Sequence, residues 1–166
     1  MKIRIAPSIL HETLVNGEGI RSCVFFAGCN KYCKGCHNKD LQKFNAGIKR
    51  NIDDVVDEIL KNRPMIDGVT LSGGDPLCQY KGSLELCKKL KEHDINIWLY
   101  TGELYTRIKT HFSEILDFVD VIVDGKFDES LVSDKIKYRG SSNQKIIYFD
   151  CGYPTKIIQG DVNGYE

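Results

Sequence analysis

The segment Cys29-Asn-Lys-Tyr-Cys33-Lys-Gly-Cys36 carries three thiols at a C-x3-C-x2-C spacing, directly after the apolar run Ser22-Cys-Val-Phe-Phe-Ala27. That run reads as a buried strand, so the fold must present the cysteine loop at a strand end. Three cysteines rather than four matter because a cubane iron–sulfur cluster has four irons. Held by three thiolates, it keeps one iron with an open coordination position. A fully ligated cluster mainly transfers electrons, whereas an open iron can also bind and activate a substrate.

Three metal readings compete for these residues. A zinc site completed by His37 would need the adjacent ligands Cys36 and His37 to point at one tetrahedral ion, whereas structural zinc sites usually use two separated pairs. Cys33-Lys-Gly-Cys36-His37 also matches the C-x-x-C-H haem attachment signature, a reading that leaves Cys29 without a purpose. A [4Fe–4S] cluster with one open iron uses all three cysteines. Three buried free thiols are a poor account of closely spaced cysteines among Asn, Lys and Gly.

Strand-like and helix-like segments alternate along the rest of the chain, which favours a largely parallel sheet. Met1 to Ala6 opens the chain as an apolar-polar run. Ile52, Val55, Val56, Ile59 and Leu60 follow the i, i+3, i+4, i+7, i+8 pattern of a helix with one buried face, with Asn51 as a candidate N-cap and Pro64 as a stop. Strands are expected at Gly68 to Leu71, Asn96 to Tyr100, Val119 to Val123 and Lys145 to Phe149. Helices are expected around Ser83 to Glu92 and over Leu104, Ile108, Phe112, Ile115 and Leu116. The chain reads as one domain, 1–166, with a glycine-rich, loosely attached tail over 151–166.

Polar and glycine-rich motifs fall where these strands end: Cys29 to Cys36, Ser72-Gly-Gly-Asp-Pro76, Thr101-Gly102 and Asp124-Gly-Lys126. Any one alone is an ordinary strand-to-helix turn. In a parallel α/β sheet, however, the carboxyl ends of the strands share one edge, so the four loops converge beside the thiols.

Lysine plus arginine equal aspartate plus glutamate at 23 each, so nothing draws the chain generally to nucleic acid or an anionic membrane. No stretch approaches a bilayer-spanning length, and Met1-Lys-Ile-Arg-Ile5 lacks the h-region of a signal peptide. With seven cysteines, this points to a reducing, cytoplasmic setting. Cys23, Cys78, Cys87 and Cys151 share no tight spacing and are expected to pack as small apolar residues.

These residues resemble the radical S-adenosylmethionine enzymes, whose cluster motif is C-x3-C-x2-C, and more narrowly the activating enzymes of anaerobic (class III) ribonucleotide reductase. The resemblance runs from about Val15 to Tyr148. It includes Val15-Asn-Gly-Glu-Gly-Ile-Arg21, Cys33-Lys-Gly-Cys-His-Asn38, Leu71-Ser-Gly-Gly-Asp-Pro76, Ile97-Trp-Leu-Tyr-Thr-Gly102, Val123-Asp-Gly-Lys-Phe127 and Arg139-Gly-Ser-Ser-Asn-Gln144. The cysteine triplet specifies only the superfamily, and the last two segments with the short length point to the activases. The resemblance implies a cluster that binds S-adenosylmethionine, is reduced by a flavodoxin-type donor, and yields a 5′-deoxyadenosyl radical. That radical takes hydrogen from a glycine of the partner reductase and leaves a glycyl radical.

It further implies Cys29, Cys33 and Cys36 as cluster ligands. Gly73, Gly74 and Asp75 would stand for the family's Gly-Gly-Glu segment beside the methionyl amino group. Asp124 and Lys126 match a D-x-K pattern that meets ribose and carboxylate, two alternating residues on one face of an extended chain. Thr101 is a candidate of the same kind. Many superfamily members have an aromatic residue before the third cysteine, beside the adenine; here that position is Gly35. Backbone groups of Gly35, Cys36 and His37 would meet adenine instead, and the His37 ring could stack on it. Asn16, Gly17 and Gly19 would lie near the entrance. Arg139 to Gln144 would face the partner or brace the last strand.

Too few elements exist for an eightfold barrel, so a partial, open (β/α) barrel of the radical SAM type is expected, with about five or six mainly parallel strands. Openness would admit the glycine-bearing segment of the reductase subunit. Activation of a different glycyl-radical enzyme, of the pyruvate formate-lyase type, and a non-catalytic zinc or iron–sulfur regulatory module are the competing functions.

Overall fold

A computed structural model describes residues 1–161. Nine strands form one mixed sheet: β1 Lys2–Ile5, β2 Leu10–Thr13, β3 Arg21–Phe26, β4 Ile48–Asn51, β5 Gly68–Gly73, β6 Asn96–Tyr100, β7 Val121–Asp124, β8 Lys145–Asp150 and β9 Tyr153–Ile158. Three helices accompany them: α1 Ile52–Lys61, α2 Tyr80–Lys91 and α3 Tyr105–His111. The sheet order is β4-β1-β3-β5-β6-β7-β8-β9, with β2 also paired to β3. It is an open α/β sheet.

The parallel part is confined to β3, β5, β6 and β7, in register from Arg21↔Gly68 to Phe26↔Gly73 and from Trp98↔Val121 to Tyr100↔Val123. The other five pairings, β1 with β3 and β4, β2 with β3, β7 with β8 and β8 with β9, are antiparallel. The expectation of about five or six mainly parallel strands is therefore corrected to nine strands among the described residues, with parallel pairing only at the centre. The extra strands β2, β4 and β9 have few buried residues, so they carry no continuous apolar run.

Alternation along the central strands divides the interior. Val24, Phe26, Val69, Leu71, Ile97, Leu99 and Ile122 face the helices and join Val55, Ile59, Leu86, Leu90 and Ile108 in the main core. Trp98, Val121, Val123 and Ile146 face the other way and pack with Tyr100, Tyr138 and Tyr148. The helix-free face thus has its own smaller apolar layer.

The helices match the periodicity, with local differences. In α1, Ile52, Val55, Val56 and Ile59 are buried as expected, but the Asn51 side chain makes no capping bond. The Ile52 amide instead donates to Met1 O at 3.0 Å, so the neighbouring strand satisfies the helix start. The helix ends at Lys61, and Pro64 sits in the following 3₁₀ turn. The segment 104–116 divides at Phe112, whose backbone leaves the helical region at φ −136°, ψ 28°. Leu104, expected on the buried side, is exposed.

Within the segment expected as a tail, residues 153–158 form β9, paired with β8 from Ile146↔Ile158 to Asp150↔Tyr153 with a register shift between Tyr148 and Phe149; residues 162–166 lie outside the described residues. Cys23 and Cys87 are buried and Cys78 is half-buried, whereas Cys151 is exposed and does not pack as an apolar residue. Burial pushes the Cys23 and Cys87 thiols up to about 12. No described helix is long and apolar enough to cross a membrane.

Candidate metal centre

A cavity of about 490 Å³ opens where β3, β5, β6 and β7 end. Its wall includes Cys29, Cys33, Cys36, His37, Gly73, Gly74, Thr101 and Gly102, so three of the four expected loops supply wall residues named from the sequence. The fourth, after β7, contributes Gly125 and Phe127 in place of the flanking Asp124 and Lys126.

The cysteine loop is stitched down by backbone bonds. Gly28 N–H donates to Leu41 O at 2.7 Å and Cys29 N–H to Gln42 O at 3.0 Å, closing the loop on itself. Gly74 N–H donates to Phe26 O at 2.7 Å and Asp75 N–H to Gly28 O at 2.9 Å, fastening it to the loop after β5. Gly73 and Gly74 are glycines because this approach leaves no room. A Cβ on Gly73, at φ +110°, would stand 2.3 Å from Phe26 N and O, and one on Gly74 would stand 2.5 Å from Gly28 O.

Two thiols already accept backbone hydrogen bonds, Cys29 Sγ from Lys31 N–H and Cys36 Sγ from Asn38 N–H, each at 3.4 Å. Such N–H···S bonds, with a shared cavity walled by glycine, suit thiolates that hold an iron–sulfur cluster. Among the described residues, no three His, Cys, Asp or Glu side chains gather closely enough to hold a single metal ion. All three thiols line the one cavity.

Asp75 and Asp124 are placed differently from the expectation. Asp75 is 1% exposed and lies behind the wall. Its carboxylate accepts from Leu77 N–H at 3.0 Å, Gly102 N–H at 2.9 Å and the Thr101 hydroxyl at 2.9 Å. Burial raises its pKa, and these donors oppose the rise. Asp124 shares the helix-facing parity of Ile122, and its carboxylate accepts from Tyr105 N–H at 2.8 Å and Lys145 N–H at 3.1 Å. The alternation argument for Asp124 and Lys126 fails because Gly125, at φ +90°, breaks the extended run between them. Lys126 is exposed and outside the wall.

Gly35 also lies outside the wall. At φ +72° it takes a left-handed turn that favours glycine, and a Cβ there would stand 2.5 Å from Glu129 Oε2, the end of a side chain that can rotate away. Arg139 and Gln144 line the cavity and tie their segment to its surroundings. Arg139 donates to Gln144 O and Gly160 O at 2.8 Å each, and Gln144 Nε2 donates to Gly125 O at 2.9 Å. Asn16 lines the cavity and its carbonyl accepts from Thr70 at 2.5 Å. Gly17 lies over Trp98 and Gly19 over Asp67, where a Cβ would come within 2.7 and 2.6 Å.

Sequence reasoning missed Lys31, whose ammonium pairs with Glu103 and whose stem covers Gly102. It also gave Phe127 no role, although the Gly-Lys-Phe segment had been noted. Deeper on the helix-free face, Arg21 is 2% exposed and donates to Thr70 Oγ1, Val69 O, Glu18 O and Asn96. Burial pulls its pKa down to about 10.

Comparison with known proteins bears on this site directly. Residues 15–147 match the family model described as a 4Fe-4S single cluster domain. The chain is 35% identical over 145 residues to the anaerobic ribonucleoside-triphosphate reductase-activating protein of Haemophilus influenzae, covering 82% of this chain and 92% of that one. The proteins of the same name from Escherichia coli K12 and Enterobacteria phage T4 are 33% and 34% identical, covering 80% of this chain and 91% and 86% of theirs. Coverage spans the cysteine loop, the glycine pair and the segment that closes the cavity. The chain thus belongs to the family of anaerobic ribonucleoside-triphosphate reductase-activating proteins and carries its 4Fe-4S domain.

Proposed function

We propose that this chain is a radical S-adenosylmethionine oxidoreductase that installs the glycyl radical of an anaerobic ribonucleoside-triphosphate reductase. The observation that carries the reading is the placement of Cys29, Cys33 and Cys36 on one cavity at the ends of the parallel strands, in a chain of this family. Cys29, Cys33 and Cys36 hold a [4Fe–4S] cluster with one iron left open. When bound, the cluster and S-adenosylmethionine supply one-electron cleavage of a sulfonium S–C bond and the 5′-deoxyadenosyl radical that removes hydrogen from a glycine of the reductase.

The protein's own residues position that chemistry. Gly73 and Gly74 let backbone approach the methionyl end, and the Cys36–His37 backbone faces the nucleoside. Thr101 and Asp75 act as one unit that fixes the wall, and Asp124 holds the start of α3 against the loop after β7. Lys126 stays at the rim as a free-standing candidate for a ligand carboxylate. The parallel centre and its antiparallel flanks fit a partial, open barrel, with the helix-free face as its inside and the mouth open to the reductase subunit. A flavodoxin-type donor in the cytoplasm is the natural source of the electron.

Anaerobic reconstitution tests the reading. The expected result is a brown protein that forms 5′-deoxyadenosine when reductant and S-adenosylmethionine are added, and that gives a glycyl signal by electron paramagnetic resonance with the reductase. Alanine at any one of the three cysteines should abolish the colour, whereas alanine at Cys78 or Cys151 should not. A colourless zinc protein ends the proposal, and a glycyl signal only on a different glycyl-radical enzyme reassigns the partner.

A further inference from the structure

One part of the cavity wall is built around an aromatic ring. The Phe127 ring is flanked at opposite edges by two glycines. A Cβ on Gly35 would stand 3.4 Å from its Cε1, and a Cβ on Gly140 would stand 2.8 Å from its Cδ2 and 3.3 Å from its Cε2. A side chain at Gly140 would push the ring out of this slot, whereas one at Gly35 would meet it in ordinary contact. The His37 ring lies 4.9 Å from it, centroid to centroid, tilted by 48°. Both rings line the cavity beside Cys36.

Of the other rings on the wall, the two tyrosines are engaged elsewhere and Phe25 lies within β3. Tyr100 and Tyr138 pack on Trp98 at 6.4 and 5.6 Å, and the Tyr100 hydroxyl donates to Tyr138 O at 2.6 Å. A ring fixed by its edges keeps a face for a planar partner and loses little conformational freedom when one binds.

We propose that Phe127, with His37 beside it, is the face on which the purine base of the ligand stacks, and that this stacking gives the site its preference for a base-bearing ligand over a base-free one. This rests on the reading that S-adenosylmethionine is the ligand. The loop after β7 then delivers the aromatic face, and Gly140 leaves space for its edge.

The test compares two unreactive ligands on the reconstituted protein: S-adenosylhomocysteine, and S-ribosylhomocysteine, which has a hydroxyl in place of the base. Calorimetry should find the first bound about tenfold or more tightly than the second, the order expected for one base stacked on one ring. Phe127→Leu should remove most of that preference, leaving the base-free ligand's affinity and the cluster's paramagnetic spectrum unchanged, and Phe127→Tyr should restore it. Should the leucine variant fail to hold the cluster, Gly140→Ala, which displaces the ring by its edge, carries the same comparison. Equal affinities in the wild type, or an undiminished preference in the variant, overturn the stacking role while leaving the functional reading intact. A cluster-loaded wild type that binds neither ligand overturns both.

Discussion

The Thr101 hydroxyl donates to the Asp75 carboxylate, 2.9 and 3.0 Å from its two oxygens. Asp75 follows β5 and Thr101 follows β6, so this bond joins the loops of neighbouring parallel strands directly behind the cavity wall. The carboxylate is buried, and each donor it loses leaves charge unanswered in a poor solvent. Thr101→Val should therefore destabilise the apoprotein by about 1–3 kcal/mol, and Thr101→Ser much less. Because Asp75 N–H also holds Gly28 O, next to Cys29, the valine variant should retain less iron on reconstitution. Urea denaturation and the iron-to-protein ratio check this; a variant matching the wild type in both would show the bond to be dispensable.

Two glycines with similar backbone angles should respond very differently to alanine. Gly73 and Gly125 have φ of +110° and +90°, so both substitutions strain the backbone, by roughly 1 kcal/mol or more. At Gly125 the new methyl would meet only Leu104 Cδ2, at 3.6 Å, an ordinary contact. At Gly73 it would meet the Phe26 backbone at 2.3 Å, which side-chain rotation cannot relieve. Gly73→Ala should cost at least about 3 kcal/mol and disturb the β3–β5 register, whereas Gly125→Ala should cost about 1–2 kcal/mol. Thermal unfolding of the two apoproteins measures the contrast, and equal losses would contradict it.

What could be read from the sequence follows from how each element is buried. β3, β5, β6 and β7 are covered on both faces, so they appear as apolar runs, and the loops at their ends could be placed on one edge. β2, β4 and β9 are edge or flanking strands with mostly exposed residues, and nothing in their pattern separates them from loop. The cysteine loop and the glycine pair were legible because their spacing and chemistry are local. Asp75 and Asp124 were not, since whether a strand-end carboxylate faces a ligand or a neighbouring amide depends on one backbone turn. At Asp124 the parity shared with Ile122 turned the carboxylate to the helix face, where the Tyr105 amide meets it.

The buried thiol of Cys87 makes stability depend on alkaline pH with a definite sign. Its pKa rises from 9.0 to about 12 in the folded protein because burial disfavours the thiolate. A raised folded value means the stabilising contribution is complete below 9.0 and is lost as pH climbs towards 12, since the unfolded chain ionises first. Cys87→Ala should begin less stable, by about 1 kcal/mol, and the gap to the wild type should close by about 1.4 kcal/mol per pH unit above that point. Denaturant unfolding of reduced apoprotein between about pH 8 and 10 reads the slope. Parallel curves for the two proteins would mean the thiol is not shielded in solution.

Lys31 lies between Cys29 and Cys33 in the chain, and its pairing with Glu103 gives a way to separate loop anchoring from electrostatics. Both side chains are largely covered, at 14% and 13% exposure, and Glu103 also accepts from Arg107 Nε at 3.1 Å. Reduction adds negative charge to a cluster, so a nearby ammonium favours the reduced form and a nearby carboxylate opposes it. Lys31→Met should lower the cluster's reduction potential by tens of millivolts, and Glu103→Gln should raise it. The exchanged pair K31E/E103K rebuilds the link to the β6–α3 loop but puts the charges in opposite places. It should recover the stability lost in Lys31→Met while leaving the potential low. Redox titration followed by electron paramagnetic resonance, beside urea denaturation of the apoproteins, distinguishes the cases. Unchanged potentials in both single variants would reduce the pair to a mechanical anchor, and full recovery of the potential in the exchanged protein would show that loop position, not charge, sets it.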